Sequence, residues 1–315
     1  MSRYFYHSFP RGAGDLSACA LSIFESILDR GLLLTPERIE FREELSNDTL
    51  SKPLLLMQKR ISFTELEPRE LPQHALTFGP FSLEWDITTL IQMGAIPVFY
   101  VPLKATPGSF DGVASAMLAR LAEIQELLVR LEGINTLVNQ TLNKAELLNI
   151  TKNGIPVMQT QCTVGGAQHL LQFLQAEIQP ISALTGAIRA LSGYFYPIDH
   201  EKHTELLGYY RQREWRLLAN NVWRGTPLTV PTSESDVKSL RQINDSFFGR
   251  EVEFPTGSKI LASECHLYKT FRGTPVIEAA RKLICPKASI TAVTSLLNAK
   301  RVKLEIVAME EYAAT

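Results

Sequence analysis

The residues best suited to chemistry are few and far apart in this chain. Glu214 and Arg216 stand two apart within 209–220, YYRQREWRLLAN. On a strand, successive side chains point to opposite faces. Glu214, Arg216 and Leu218 then share one face, and Trp215 and Leu217 take the other. A carboxylate and a guanidinium so placed either share a polar pocket above an anchoring tryptophan or form a solvated ion pair on a surface strand. The residues alone leave both readings open. Ser62 and Thr64 alternate with Ile61 and Phe63, which reads as a half-buried strand with two hydroxyls on one side. The residues alone also fit a simple strand with Ser62 and Thr64 turned outward. His7 follows the aromatic run Tyr4-Phe5-Tyr6. It reads either as a partly buried, hydrogen-bonded histidine or as a polar group over a ligand. Two further acids compete with Glu214. Glu264 falls with His266 in 259–267 (KILASECHL), and Glu84 shares a strand face with Ser82 and Asp86. His200 and His203 lie near Asp199 and Glu201, but no third ligand accompanies them, so they read as solvated loop residues and no metal is expected.

Composition narrows the field. The 315 residues carry 32 Lys and Arg against 33 Asp and Glu, a formal net charge of −1. No global basic field exists, so charge does not indicate a nucleic-acid target. The hydrophobic share of 45% and charged share of 21% suit a globular protein with a real core. The cysteines, Cys19, Cys162, Cys265 and Cys285, are scattered and form no C-x-x-C. No apolar run has transmembrane length, and the opening MSRYFYHSF has no apolar signal core, so a cytoplasmic protein without membrane contact is expected. No Walker loop, G-x-G-x-x-G or G-x-S-x-G occurs, which leaves kinases, Rossmann dehydrogenases and serine hydrolases of that type without support.

The candidate residues must be positioned by strands from both ends of the chain. A strand at 4–6 precedes breakers at Pro10, Gly12 and Gly14; Asp15 is a candidate cap for a helix reaching Leu28, which Gly31 stops. Residues 38–53 read as a loop or short helix. Strands follow at about 58–65 and 78–86, then a short helix at 88–92 stopped by Gly94, then a strand at 96–101 buried on both faces. From 104 the character changes. Apolar residues at helical spacing run from Phe110 to Leu131, again over 136–150, and again from about 166 to 189. This predicts a mainly helical insertion at 104–204, packed on the core or serving as a face for a partner or a second copy. Past it come a capped helix from Pro231 to about 246, a strand at 259–267, a short helix at 275–281, a strand at 282–285, a helix at 289–297 and a last strand at 302–307.

The stretch YYRQREWRLL resembles the "REWR" strand of AbiGi-type abortive-infection proteins. YFYHSF with SILDRGLLLTPE, QKRISFTEL with FGPFSLEWDITTLIQMGAIPVFYV, and ARKLICPKASITAVTSLL match the same pattern in order. The resemblance covers roughly 4–103 and 205–308. The order is also similar to a degenerate ADP-ribosyltransferase fold of the DarT kind, in which an early His or Arg, a hydroxyl-bearing strand and a late Glu meet around NAD. The resemblance implies an α+β fold, a mixed β-sheet core over 1–103 and 205–315 like that of ADP-ribosyltransferases, with the insertion between. It implies Glu214 and His7 as catalytic residues, His7, Ser62, Thr64 and Arg216 as NAD-binding, and bacterial anti-phage defence as the setting. Glu214 would hold the ribose hydroxyls and offset the positive charge that develops as the nicotinamide–ribose bond breaks. "SECHL" also resembles the late acid strand of DarT, which makes Glu264 the rival. AbiGi proteins are also described as the antitoxin half of a toxin–antitoxin pair. The resemblance therefore equally implies a non-catalytic antitoxin or scaffold that grips a protein from the same defence operon.

Overall fold

The computed structural model describes residues 4–11, 16–41, 54–101, 111–152, 155–177, 188, 191, 194–197, 213–219, 222–223, 226–253 and 259–313. The chain divides into two units, Met1–Asp111 with Gly193–Thr315, and Gly112–Ser192.

The first unit is built on a ten-stranded sheet: β1 Tyr4–Phe9, β2 Leu32–Phe41, β3 Leu54–Leu66, β4 Phe81–Asp86, β5 Ile96–Pro97, β6 Glu214–Leu218, β7 Val230–Pro231, β8 His266–Tyr268, β9 Lys282–Cys285 and β10 Glu305–Ala308. Its order is β7-β8-β2-β3-β1-β4-β9-β10, with β6 on β3 and β5 on β6. Only β9 and β10 run parallel. The fold is therefore α+β with a mixed sheet, as the sequence reading expects at that level.

The thirteen-residue β3 organises it. β2 pairs with 54–60 and β1 with 64–66, while β6 spans 60–64. Because β6 overlaps both neighbours, it lies on the other edge of β3. Among the described residues, no strand pairs with the edge around Ser62 between β1 and β2.

The helices of this unit are α1 Ser17–Arg30, α2 Leu71–Phe78, α3 Ile87–Met93, α6 Glu234–Ile243, α7 Asp245–Phe248, α8 Ile290–Lys300 and α9 Met309–Ala313; α4 Asp111–Gln140 and α5 Val164–Glu177 belong to the insertion. Helix α1 buries Ala20, Ile23, Phe24 and Ile27, spaced three and four apart, into the main core with Phe5, Phe63, Phe81, Leu83, Trp85 and Leu217. At roughly 25 cal/mol per Å² of apolar area, this aromatic layer is the main favourable term holding the sheet. Gly31 ends α1 at φ 93°, and a Cβ there would sit 2.2 Å from the Tyr268 carbonyl oxygen, so only glycine fits. On the opposite face, Tyr6, Leu71 and Ile284 pack with Tyr312 of α9. The helix expected after Pro231 starts at a capping box: Ser233 Oγ accepts from the Asp236 N–H and Asp236 Oδ2 accepts from the Ser233 N–H.

Four expectations need correction. β2 continues to Phe41, where a loop or short helix is expected from 38, because seven backbone pairs with β3 outweigh the local polar composition. The expected strand at 96–101 is two pieces, β5 and Phe99–Val101, and Phe99 is 48% exposed rather than buried. The strand expected at 259–267 is broken by a turn at 262–264. The insertion is not helical throughout. Helix α4 runs unbroken past Gly133, but Leu147–Lys152 and Ile155–Thr163 pair as an antiparallel hairpin where the second helix and the approach to the third are expected. The missed signal is Asn153-Gly154, a dipeptide enriched in tight hairpins, flanked by Ile150, Thr151, Ile155 and Val157. The expected cap Asp15, the later part of the third expected helix, and His200 and His203 lie outside the described residues.

Candidate functional site

The polar residues of β3 sit every second position, Gln58, Arg60, Ser62 and Thr64, so the pleat aims all four to one face. The register places Glu214 opposite Thr64, Arg216 opposite Ser62 and Leu218 opposite Arg60. Trp215 lies opposite Phe63, half-buried in the main core and edge-on to Phe5 at 5.3 Å. The alternation expected for 214–218 therefore holds.

Glu214 is 8% exposed and Arg216 fully buried. Their side chains meet along one strand: Arg216 Nε donates to Glu214 Oε1 at 2.9 Å and Nη2 to Oε2 at 3.2 Å. Ser62 Oγ donates to Oε1 at 2.5 Å, and the Tyr100 hydroxyl to Oε2 at 3.5 Å. A carboxylate offers about four lone-pair positions. Here all four face donors of the chain itself. Burial alone would raise the Glu214 pKa, but the Arg216 and Arg60 guanidiniums and the two side-chain hydrogen bonds win and hold it at about 2. Burial drives the Arg216 pKa down, with the neighbouring Arg60 charge acting the same way against Glu214.

The cluster extends along β3. Arg60 donates twice to Glu37 Oε2, at 3.0 and 2.6 Å, and once to Gln58 Oε1 at 3.1 Å. Tyr196 closes it from above. The Arg216 guanidinium lies 4.9 Å from its ring centre and that of Arg60 5.8 Å, while Tyr100 meets Tyr196 edge-on at 6.4 Å. The alternation at 58, 60, 62 and 64 was a signal for Gln58 and Arg60. Nothing in the sequence marked Glu37, Tyr100 or Tyr196.

The proposed NAD-site residues are brought together in part. Ser62, Glu214 and Arg216 touch. Thr64 faces Glu214 in register, yet the hydroxyl that bonds the acid is the diagonal one, Ser62. His7 is not on this face. Two positions from both Phe5 and Phe9, it shares their face, stacks on Phe9 at 5.6 Å and contacts Phe63 at 5.9 Å, all residues of the apolar core face. It meets the cluster only through main chain: Nδ1 donates to the Ser62 carbonyl at 2.9 Å, on the edge left open between β1 and β2. That contact requires the proton on Nδ1. Burial lowers the His7 pKa to about 4. A convergence of all four side chains in one cleft is thus not what the sheet builds, because the pleat separates position 7 from positions 62, 64 and 214.

The rival acids are also placed. Glu264 lies in the 262–264 turn, where its Oε2 accepts from the Leu261 N–H. Glu84 is 2% exposed, and its Oε2 accepts from the Tyr6 hydroxyl at 3.1 Å and the Tyr312 hydroxyl at 3.5 Å; Arg281 Nε is 3.5 Å from Oε1. Among the described residues no group of three or more His, Cys, Asp or Glu could hold a metal ion, and no helix is long and apolar enough to cross a membrane.

No protein-family model, curated protein or solved structure matches the chain.

Proposed function

We propose that this chain works by binding a partner, as a non-catalytic antitoxin or scaffold of an abortive-infection system, with the Glu214–Arg216 cluster as structural bracing. The observation that carries this reading is the saturation of Glu214: Ser62, Arg216 twice and Tyr100 occupy its four acceptor positions in a buried site. An acid that must hold the ribose hydroxyls of NAD needs free acceptors where the ribose lies. As they stand, these residues do not fit that role. The partner class is a protein encoded in the same defence operon, in keeping with the AbiGi resemblance.

One observation favours the NAD-cleaving alternative. The hydroxyl-to-acid contact between Ser62 and Glu214 joins the two strands that the ADP-ribosyltransferase resemblance implies, and His7 rests on the same Ser62 through its carbonyl. Calorimetry with NAD and an assay of nicotinamide release separate the readings. The binding reading expects neither heat nor nicotinamide from the intact chain, and a defined complex with the purified product of the adjacent operon gene by light scattering. Release of nicotinamide by the intact chain, reduced at least about 10²-fold in a folded Glu214→Gln variant, would establish the catalytic reading instead.

A further inference from the structure

The second buried carboxylate, Glu84, is less completely used than Glu214. Its Oε2 accepts from the Tyr6 and Tyr312 hydroxyls, at 3.1 and 3.5 Å. Its Oε1 is buried and accepts no hydrogen bond among the described residues. The cation beside it is Arg281, whose Nε stands 3.5 Å from Oε1 without making that bond. A buried charged oxygen left in this way is costly, because its lost hydration is not replaced. The same guanidinium lies over the Tyr4 ring, 5.0 Å from its centre. Tyr4 and Tyr6 share one face of β1, and Tyr6 opposes Glu84 in register. Lys282 opposes Glu84 from β9, but its Nζ pairs with Glu305 at 3.2 Å. An acceptor oxygen and a tyrosine face thus make a place for a flat cation, and an exposed arginine of the chain itself occupies it out of alignment.

We propose that the Glu84 site receives the guanidinium of an arginine from a protein partner, and that Arg281 stands in for it in the free chain. The main chain at Arg281 is fixed, since its N–H donates to the Glu84 carbonyl at 2.8 Å and β9 follows directly. Its side chain is exposed, so it can turn into water and vacate the site while the sheet stays as it is. The Tyr6 and Tyr312 hydroxyls hold the carboxylate in place meanwhile. Exchange of one arginine for a better aligned one keeps the buried acid neutralised, which is the condition for such a pair to be favourable. A guanidinium suits the site better than an ammonium. It is planar and weakly hydrated, and it can lie on a tyrosine ring while its N–H groups reach a carboxylate. An ammonium would give up strong hydration for a single open oxygen. The source of the arginine rests on the partner-binding reading. The probe below is a small molecule, so its failure would remove this contact and leave partner binding to the complex-formation measurement.

The test is calorimetry of the full chain with N-acetyl-arginine amide, with the corresponding lysine and citrulline amides and free L-arginine for comparison. Arg281→Ala should bind the arginine amide saturably and at least about tenfold more tightly than the wild type, the factor for a site that its own side chain fills roughly nine-tenths of the time. The lysine amide should bind more weakly, the neutral citrulline amide not at all, and free L-arginine no more tightly than the amide. Adding Glu84→Gln to Arg281→Ala should abolish binding. No saturable binding to Arg281→Ala would overturn the proposal, as would equal affinities of wild type and Arg281→Ala, or an affinity unchanged by Glu84→Gln. Lysine or citrulline amide binding as well as the arginine amide would overturn the guanidinium assignment, and a clear preference for free L-arginine would replace the protein partner with a small molecule. Should the double variant fail to fold, Tyr4→Leu on the Arg281→Ala background decides: binding weakened about tenfold supports the site, and unchanged affinity removes it.

Discussion

Two buried carboxylates sit on one face of one sheet, and the chain satisfies them differently. Glu214 and Glu84 belong to a single row across five strands, in which Lys282 opposes Glu84, Glu84 opposes Tyr6, Tyr6 opposes Thr64 and Thr64 opposes Glu214. Glu214 is neutralised internally, by an arginine as buried as itself and by a second one beyond. Glu84 is met by two tyrosine hydroxyls, and its cation, Arg281, is 42% exposed. The difference lies in what remains if the acid is removed. Without Glu214, a fully buried guanidinium loses its counter-charge. Without Glu84, Arg281 can turn into water and two hydroxyls lose an acceptor. A buried acid therefore marks a functional site only when its partners leave something for a ligand, and Glu214, the more conspicuous of the two in sequence, is the more completely used.

The largest expected effect follows from that asymmetry. Glu214→Ala should destabilise the chain by roughly 3–5 kcal/mol, the range for breaking a buried pair on one side. Chemical denaturation would measure it, and a loss under about 1 kcal/mol would mean that Arg216 is not held by Glu214 in solution. Next comes pH. The Glu214 pKa is depressed in the folded state, from an ordinary 4.5 to about 2, so the stability that it contributes is complete above 4.5 and is lost as pH falls towards 2. His7, whose folded pKa is lowered from 6.5 to about 4, resists protonation in the fold, so its contribution is lost earlier, as pH falls from 6.5 to 4. Stability measured against pH should fall in both windows. Glu214→Gln should flatten the lower window only and His7→Gln the upper only; identical acid limbs in all three proteins would refute the assignment.

Glu84→Ala should cost less than Glu214→Ala, about 1–3 kcal/mol, the penalty for leaving buried hydroxyls without an acceptor. An equal or greater loss would reverse the comparison and make Glu84 the principal buried charge. The smallest effect is expected for Tyr312→Phe, which removes one long hydrogen bond of 3.5 Å to Glu84 and should cost under about 1 kcal/mol in the same denaturation assay. A larger loss would show that α9 is held by that hydroxyl rather than by packing with Tyr6, Leu71 and Ile284.

Much of this was determined by the sequence alone. Period-two alternation put Glu214 and Arg216 on one face and Trp215 on the other, Ser62 and Thr64 opposite Ile61 and Phe63, and the Gly31, Gly94 and Ser233 boundaries follow from local backbone and capping chemistry. These properties depend on neighbours within a few residues, which a sequence displays. Which strands lie side by side is not local. The pairing of 60–64 with 214–218 brought Ser62 to Glu214 from 152 positions away, and the separation of β1 from β2 along β3 left the Ser62 carbonyl open to His7. Nor could the sequence place Glu37, Tyr100 and Tyr196 around two guanidiniums, since each contact joins segments that are remote in the chain. The insertion makes the same point from the other side. Apolar spacing alone described its first helix, but Leu147–Lys152 and Ile155–Thr163 became a hairpin because short apolar runs satisfy either period until a partner strand supplies the hydrogen bonds.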